Sequence, residues 1–357
     1  MRSPKFQTSL TGQTSQTSPT SLTFLFFAAL ILGACTPRQD HPPAMKDPPP
    51  SDATAPVPQV TTASSPPPAP PGPWSRKTAR ITPAPAGFVP PSRVALKPGQ
   101  VVAAIGDVHG DLAALRGALT LAGALDTADH WAGGGLAVVI TGDYLDRGDD
   151  EKEILELLPR LQREAAAAGG ALHVLTGNHE LLNAQGEFCC LSKRGETALD
   201  LVGATRRQRF APGGDLARTL ADRPFTLILG RTVFVHGGIL TSHVTRDLDA
   251  LNRAAAQWLR GERPRLPFEV QSLVWTRYHS LGTPTDEVCD ELASTLALVD
   301  ADRMVVGHTV QKTMNAACDG LVWRIDIGLS RHYGSNGPEV LIIDGDRVTV
   351  RLAPKTP

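Results

Sequence analysis

Five times along this chain a short apolar run stops at a glycine that stands beside a side chain able to bind metal. Val101 to Ile105 leads into Gly106-Asp107, Leu136 to Thr141 into Gly142-Asp143, and Ala171 to Thr176 into Gly177-Asn178. Thr232 to Val235 leads into His236-Gly237-Gly238, and Arg303 to Val306 into Gly307-His308. Runs of this length and composition read as buried strands. Leu112 to Leu125 and Asp150 to Ala168, amphipathic or rich in Ala and Leu, read as helices between the first of them. Alternating strand and helix predicts an α/β fold with parallel strands. In such sheets ligands collect where the strands end, because the loops diverge there and leave a crevice. Glycine lets the backbone bend and approach a ligand closely. The five ends therefore predict one pocket holding Asp107, His109, Asp143, Asn178, His236 and His308. A single Gly-Asp turn is usually only a turn, and a single histidine is usually structural. Five in succession, each directly after a strand, are not explained that way.

The donors are carboxylate, imidazole and amide, with no thiolate. That set suits divalent ions such as Mn, Fe or Zn. Three donors per ion leave room for water and substrate. Two ions sharing a carboxylate acidify a water and neutralise a phosphoryl group under in-line attack. The 357 residues leave room for one large catalytic domain with additions. A net charge of -1 gives no electrostatic reason to expect nucleic acid as a partner.

Gly106-Asp107-Val108-His109-Gly110, Gly142-Asp143-Tyr144-Leu145-Asp146-Arg147-Gly148 and Gly177-Asn178-His179-Glu180 resemble the three signature motifs of the calcineurin-like metallophosphatases. Val235-His236-Gly237-Gly238 and Gly307-His308-Thr309 resemble the two later histidine motifs. The Asp-Arg-Gly and Gly-Asn-His-Glu sequences are similar to the phosphoprotein phosphatase branch, and within it to the bacterial and Shewanella-like enzymes. The resemblance implies a β-sandwich flanked by helices (αββα), with a two-metal site at the C-terminal ends of the strands. It implies that Asp107 and His109 hold one divalent ion, that Asn178, His236 and His308 hold the second, and that Asp143 bridges them. It further implies that His179 is the general acid, steadied by Asp146, and that Arg147 clamps phosphate. For the family's second phosphate-binding arginine, Arg277 in Trp275-Thr276-Arg277 fits best, with Arg331 and Arg194 as rivals.

The expected activity is hydrolysis of phosphomonoesters by metal-bound hydroxide, on phosphorylated proteins or small phosphoesters. Two alternatives stand beside it. One is a phosphodiesterase or dinucleoside-polyphosphate hydrolase of the same superfamily. The other is a surface binding protein that keeps the fold without the catalysis.

The remaining composition is uneven. Arg2 and Lys5 precede the apolar Leu22 to Leu32, which is too short to span a bilayer and suits a signal peptide. Leu32-Gly33-Ala34-Cys35 resembles a bacterial lipobox, which implies a leader over 1–34, lipid on Cys35 and a membrane partner. The catalytic domain would then lie outside the cytoplasm, and Thr36 in place of Asp favours the outer membrane. The alternative is an ordinary cleaved signal, or a short anchor with a chance cysteine. Residues 35–97, rich in Pro, Ala, Ser and Thr, read as a disordered tether that buries too little apolar surface to fold. The catalytic domain is then 98–357, with a helical insertion at about 183–224 that caps the cleft or is merely solvated. Cys189, Cys190, Cys289 and Cys318 permit disulfides, with the adjacent pair expected to reach distant partners rather than each other.

Overall fold

Each of the five runs is a strand. The computed structural model describes residues 88–245, 247–334 and 337–353. The leader, Cys35 and the tether up to residue 87 lie outside the described residues.

A first short strand, β1 (Arg93–Val94), lies inside the stretch assigned by composition to the tether, so ordered chain begins before residue 98. It is followed by β2 (Val102–Ile105), helix α1 (Leu112–Ala122), β3 (Ala137–Ile140), α2 (Glu151–Ala167) and β4 (Ala171–Val174). Next come α3 (Asn178–Gln185) and three short helices, α4 (Gly195–Ala198), α5 (Arg206–Phe210) and α6 (Asp215–Leu220). β5 (Thr226–Leu229), β6 (Thr232–Val235), α7 (Leu248–Leu259), α8 (Phe268–Trp275), α9 (Asp286–Leu298) and β7 (Arg303–Val306) follow. β8 (Asn315–Ala317), β9 (Val322–Arg324), β10 (Glu339–Asp344) and β11 (Arg347–Leu352) complete the order.

The strands form two sheets, in the orders β11-β10-β2-β3-β4 and β1-β5-β6-β7-β9-β8. Both are mixed. β2, β3 and β4 are parallel, as are β6, β7 and β9, while β10 runs antiparallel to β2. Every residue of β2, β3, β6 and β5 is buried, which explains why these strands read as unbroken apolar runs rather than alternating ones. α1 starts where Asp111 Oδ1 accepts the Ala114 N–H at 3.1 Å and ends at Gly123, whose φ is 79°.

Register decides where the site lies. Ile105 pairs with Ile140 and Ile140 with Val174. In the other sheet Val235 pairs with Val306 and Val306 with Arg324. The parallel strands therefore end level, and their loops leave side by side. The two sheets' ends meet, since His236 Nδ1 stands 3.1 Å from the Thr141 carbonyl.

A disulfide joins Cys289 in α9 to Cys318 after β8. The adjacent pair departs from expectation: the Cys189 and Cys190 sulfurs lie 2.8 Å apart, against each other. Among the described residues no helix is long and apolar enough to cross a membrane.

Candidate metal centre

All six expected ligands arrive in one buried cluster. Asp107 and His109 come from the loop after β2, Asp143 from that after β3, and Asn178 from the first turn of α3. His236 follows β6 and His308 follows β7. Asp143 sits in the middle. Its Oδ2 is 3.2 Å from His236 Nε2 and 3.8 Å from each of His109 Nε2 and His179 Nε2. Asn178 Oδ1 lies 2.8 Å from His236 Nε2, and Asp107 Oδ2 lies 4.0 Å from His109 Nε2. Two groups, His109-Asp143-His179 and Asp143-His236-His308, each bring three ligand atoms within 4.8 Å of one another, with Asp143 common to both.

The backbone is bent to make this possible. His109 (φ 46°), Asp143 (φ 50°) and His308 (φ 65°) are all left-handed, as are Asp146 (φ 64°) and Arg147 (φ 65°). Each costs on the order of 1 kcal/mol or more, and such strain collects at functional sites. Two of the motif glycines serve close approach. A Cβ on Gly177 would collide with Asp143 Oδ1, and one on Gly307 with Asp107 Oδ1.

Each imidazole has its outer nitrogen against an oxygen that can only accept. His109 Nδ1 faces the Leu145 carbonyl at 3.2 Å, His236 Nδ1 that of Thr141 at 3.1 Å, and His308 Nε2 that of Trp275 at 3.2 Å. In the neutral ring the proton belongs on that outer nitrogen, which turns the inner one into the cluster with its lone pair free. Four backbone N–H groups, those of Asp143, Tyr144, Leu145 and Gly177, donate to the Glu180 carboxylate at 2.8–3.0 Å. Glu180 thereby holds the Asp143 loop in shape.

The cluster's charges call for a cation. Burial pushes Asp107 well above the usual carboxylate range, and the Asp326 charge adds to it. Asp326 is pushed up to about 6, by burial and in part by Asp143. Burial opposes ionisation of Asp143, but the His236, His179 and His109 charges outweigh it and hold it well below 3.8. Burial lowers His236, yet Asp143 and Asp107 carry it to about 9. Burial takes His109 and His308 well below 6.5. Carboxylates that repel one another in a buried cluster, faced by imidazole nitrogens that turn inward, fit divalent metal.

His179 stands apart from the ligands in its bonding. Its Nδ1 lies 2.7 Å from Asp146 Oδ2, and its Nε2 is 3.5 Å from Arg147 Nη2. Burial lowers its proton affinity, but the Asp143 charge and the Asp146 hydrogen bond raise it overall. The half-buried Arg147 has no carboxylate within ion-pair distance among the described residues. Its Nη1 is 3.2 Å from His332 Nε2, and its guanidinium lies 5.2 Å from the centre of the Tyr333 ring. Of the three arginines considered for the second clamp, only Arg277 reaches the cluster, donating from Nη1 to the His308 carbonyl and to Thr309 Oγ1. Arg331 is tied to Asp111 and Asp150, and Arg194 is exposed in the segment before α4.

Residues 101–312 match the calcineurin-like phosphoesterase family. The chain is a member of that family. Shewanella-like protein phosphatase 2 of Arabidopsis thaliana is 32% identical over 73% of this chain and 79% of its own length. Shewanella-like protein phosphatase 1 of Plasmodium berghei is 28% identical over 71% of this chain and 74% of its own. A solved cold-active protein-tyrosine phosphatase of a psychrophilic Shewanella shares the fold, with a TM-score of 0.65 at 23% identity over 74% of this chain and 80% of that one. The phosphoesterase is thus a metal-dependent phosphoester hydrolase with the two-sheet architecture flanked by helices.

Two residues of the site went unread in the sequence of this phosphoesterase. Asp326 lies two residues past the end of β9 and two before Gly328, so it comes from a strand end but lacks the adjoining glycine that marked the other five. Tyr333, whose hydroxyl is 3.4 Å from His109 Nε2, carries no such signal. Both lie beyond residue 312, where the family match ends.

Proposed function

We propose that the enzyme hydrolyses phosphomonoesters, with phosphorylated proteins as the substrate class. The observation that carries this reading is the half-buried Arg147 guanidinium, without a carboxylate partner among the described residues and set beside His179 Nε2. A guanidinium in that position is built to receive a phosphate dianion through paired hydrogen bonds. Arg277, at the rim on the His308 side, supplies a second point of attachment.

Two divalent ions, when bound, would acidify a water and neutralise charge on the phosphoryl group. Asp107 and His109 would hold one, Asn178, His236 and His308 the other, and Asp143 both. Geometry alone would also admit His179 as a ligand, since its Nε2 is as close to Asp143 as that of His109. Its remaining contacts favour another role. A cationic Arg147 against Nε2 marks a place for an anionic group, and the Asp146 bond raises proton affinity, which a metal ligand does not need. His179 therefore donates its Nε2 proton to the leaving oxygen, while Asp146 fixes the ring and steadies the imidazolium.

Two relatives identical at over a quarter of the aligned positions bear the name protein phosphatase, which supports the substrate class. Rates on an aryl phosphate, a phosphopeptide, a phosphodiester and a diadenosine polyphosphate, with defined metals, test the reading. The first two should be preferred; preference for the last two would replace it with the diesterase or polyphosphate-hydrolase alternative. We further propose that the enzyme is lipid-anchored outside the cytoplasm, on the strength of the apolar leader and Leu32-Gly33-Ala34-Cys35. Radiolabelled fatty acid should mark the native chain and leave Cys35→Ser unlabelled.

A further inference from the structure

The segment between α3 and β5 sends one side chain into the interior. Arg206, the first residue of α5, is 3% exposed, and its whole guanidinium is engaged. Nε donates to Asn183 Oδ1 at 2.7 Å. Nη1 donates to Glu151 Oε2 at 2.6 Å and to the Gly195 carbonyl at 3.1 Å. Nη2 donates to Glu151 Oε1 at 2.8 Å and to Asp146 Oδ1 at 3.2 Å. That uses all the donors the group possesses. Its partners converge on one place. Asn183 Nδ2 gives to Asp146 Oδ1 and to the His179 carbonyl, both at 2.9 Å, and Glu151 Oε1 takes the Asp146 N–H at 2.8 Å. Asp146 thus has Oδ1 gripped by Asn183 and Arg206, and Oδ2 turned to His179.

We propose that Arg206 is a positioning residue for the proton-donating pair: it fixes the angle at which Asp146 presents Oδ2, and so the direction in which His179 Nε2 enters the pocket. This rests on the reading of His179 as general acid. An arginine that only anchored α5 would be satisfied by its two-point bond to Glu151. The further bonds to Asp146 and Asn183 are the ones that bear on the pair. Buried ion pairs add little net stability but specify geometry well, and a misplaced catalytic group can cost ~10²-fold.

The test compares kcat/KM along a series of esters from dinitrophenyl through phenyl to alkyl phosphate. It uses the native chain, Arg206→Gln, Arg206→Lys, His179→Asn and the Arg206→Gln/His179→Asn double variant, with metal content and melting checked for each. A poor leaving group needs the proton; dinitrophenolate does not. Arg206→Gln should lose ~10²-fold on phenyl and alkyl phosphate and little on dinitrophenyl phosphate, and should add nothing to His179→Asn. Arg206→Lys, which keeps the charge but not the planar fork, should fall between. A uniform loss along the series, or full additivity with His179→Asn, overturns the proposal while leaving the acid in place. A flat response of His179→Asn itself removes the acid and the proposal together. Loss of fold or metal in both Arg206 variants also overturns it, by making Arg206 a folding residue.

Discussion

Two histidine–carboxylate pairs of nearly equal length, each with its histidine buried, behave in opposite ways. His179 meets Asp146 at 2.7 Å, and His279 meets Glu291 at 2.8 Å. In the first pair the histidine is held above its ordinary proton affinity; in the second it is held below. Burial lowers both. The difference comes from what stands beyond the partner carboxylate. His179 also feels the Asp143 charge, whereas His279 packs near Gly238 with its Nδ1 lacking a hydrogen-bond partner among the described residues. A carboxylate at hydrogen-bond distance does not by itself raise a histidine's proton affinity; burial and the other neighbouring charges count as well.

The most severe way to break the comparison is to remove the Asp143 charge. Asp143→Asn would take away the proposed bridging ligand, and with it the carboxylate nearest the centre of the cluster. Metal analysis should find the protein depleted of divalent ions. Turnover should fall by more than the ~10–100-fold that follows loss of a group merely orienting a ligand. Full metal occupancy in Asp143→Asn would contradict the assignment.

A milder break leaves the metal in place. His179→Asn should keep its metal and lose ~10²–10⁴-fold in turnover, the usual share of general acid catalysis. An unchanged rate would remove His179 from that role. The same substitution at His279, which touches neither the ligand cluster nor Arg147, should leave turnover at neutral pH as it was.

The two pairs also differ in how much of them the sequence displayed. Asp146 and His179 sit in motifs that follow strands, and a strand end is a local feature: the apolar run, the glycine and the ligand are neighbours in the chain. The expected helices at 112–125 and 150–168 appear as Leu112–Ala122 and Glu151–Ala167 for the same reason. The support behind the pair is not local. Glu151 looks like an ordinary acidic residue at a helix start, and its partner Arg206 lies 55 positions away in a segment that read equally well as a cap or a solvated insertion. Arg206 points inward, Arg209 pairs with Asp215, and Arg207 lies over the Phe188 ring. Tyr333 reaches His109 across 224 positions. His279 and Glu291 carry no motif, and only packing brings α9 under the loop that bears Arg277.

The smallest effect separates the pairs by pH. The folded proton affinity of His279 lies below 6.5, so between that depressed value and 6.5 the unfolded chain holds a proton that the folded chain does not. Stability therefore rises with pH through this window, is fully present above 6.5, and is lost as pH falls below it. Glu291 is depressed below 4.5, so its contribution is lost only further down, as pH falls through its own folded value. His243, buried nearby and lowered in the same way, adds to the upper window and remains when His279 is changed. His279→Gln, which retains a donor toward Glu291, should thus lose less melting temperature than the native chain between neutral pH and pH ~5. Titration of the metal ligands is common to both proteins and cancels in the difference. Parallel melting curves at every pH would show that His279 is not titrating on unfolding, and that burial does not set it apart from His179.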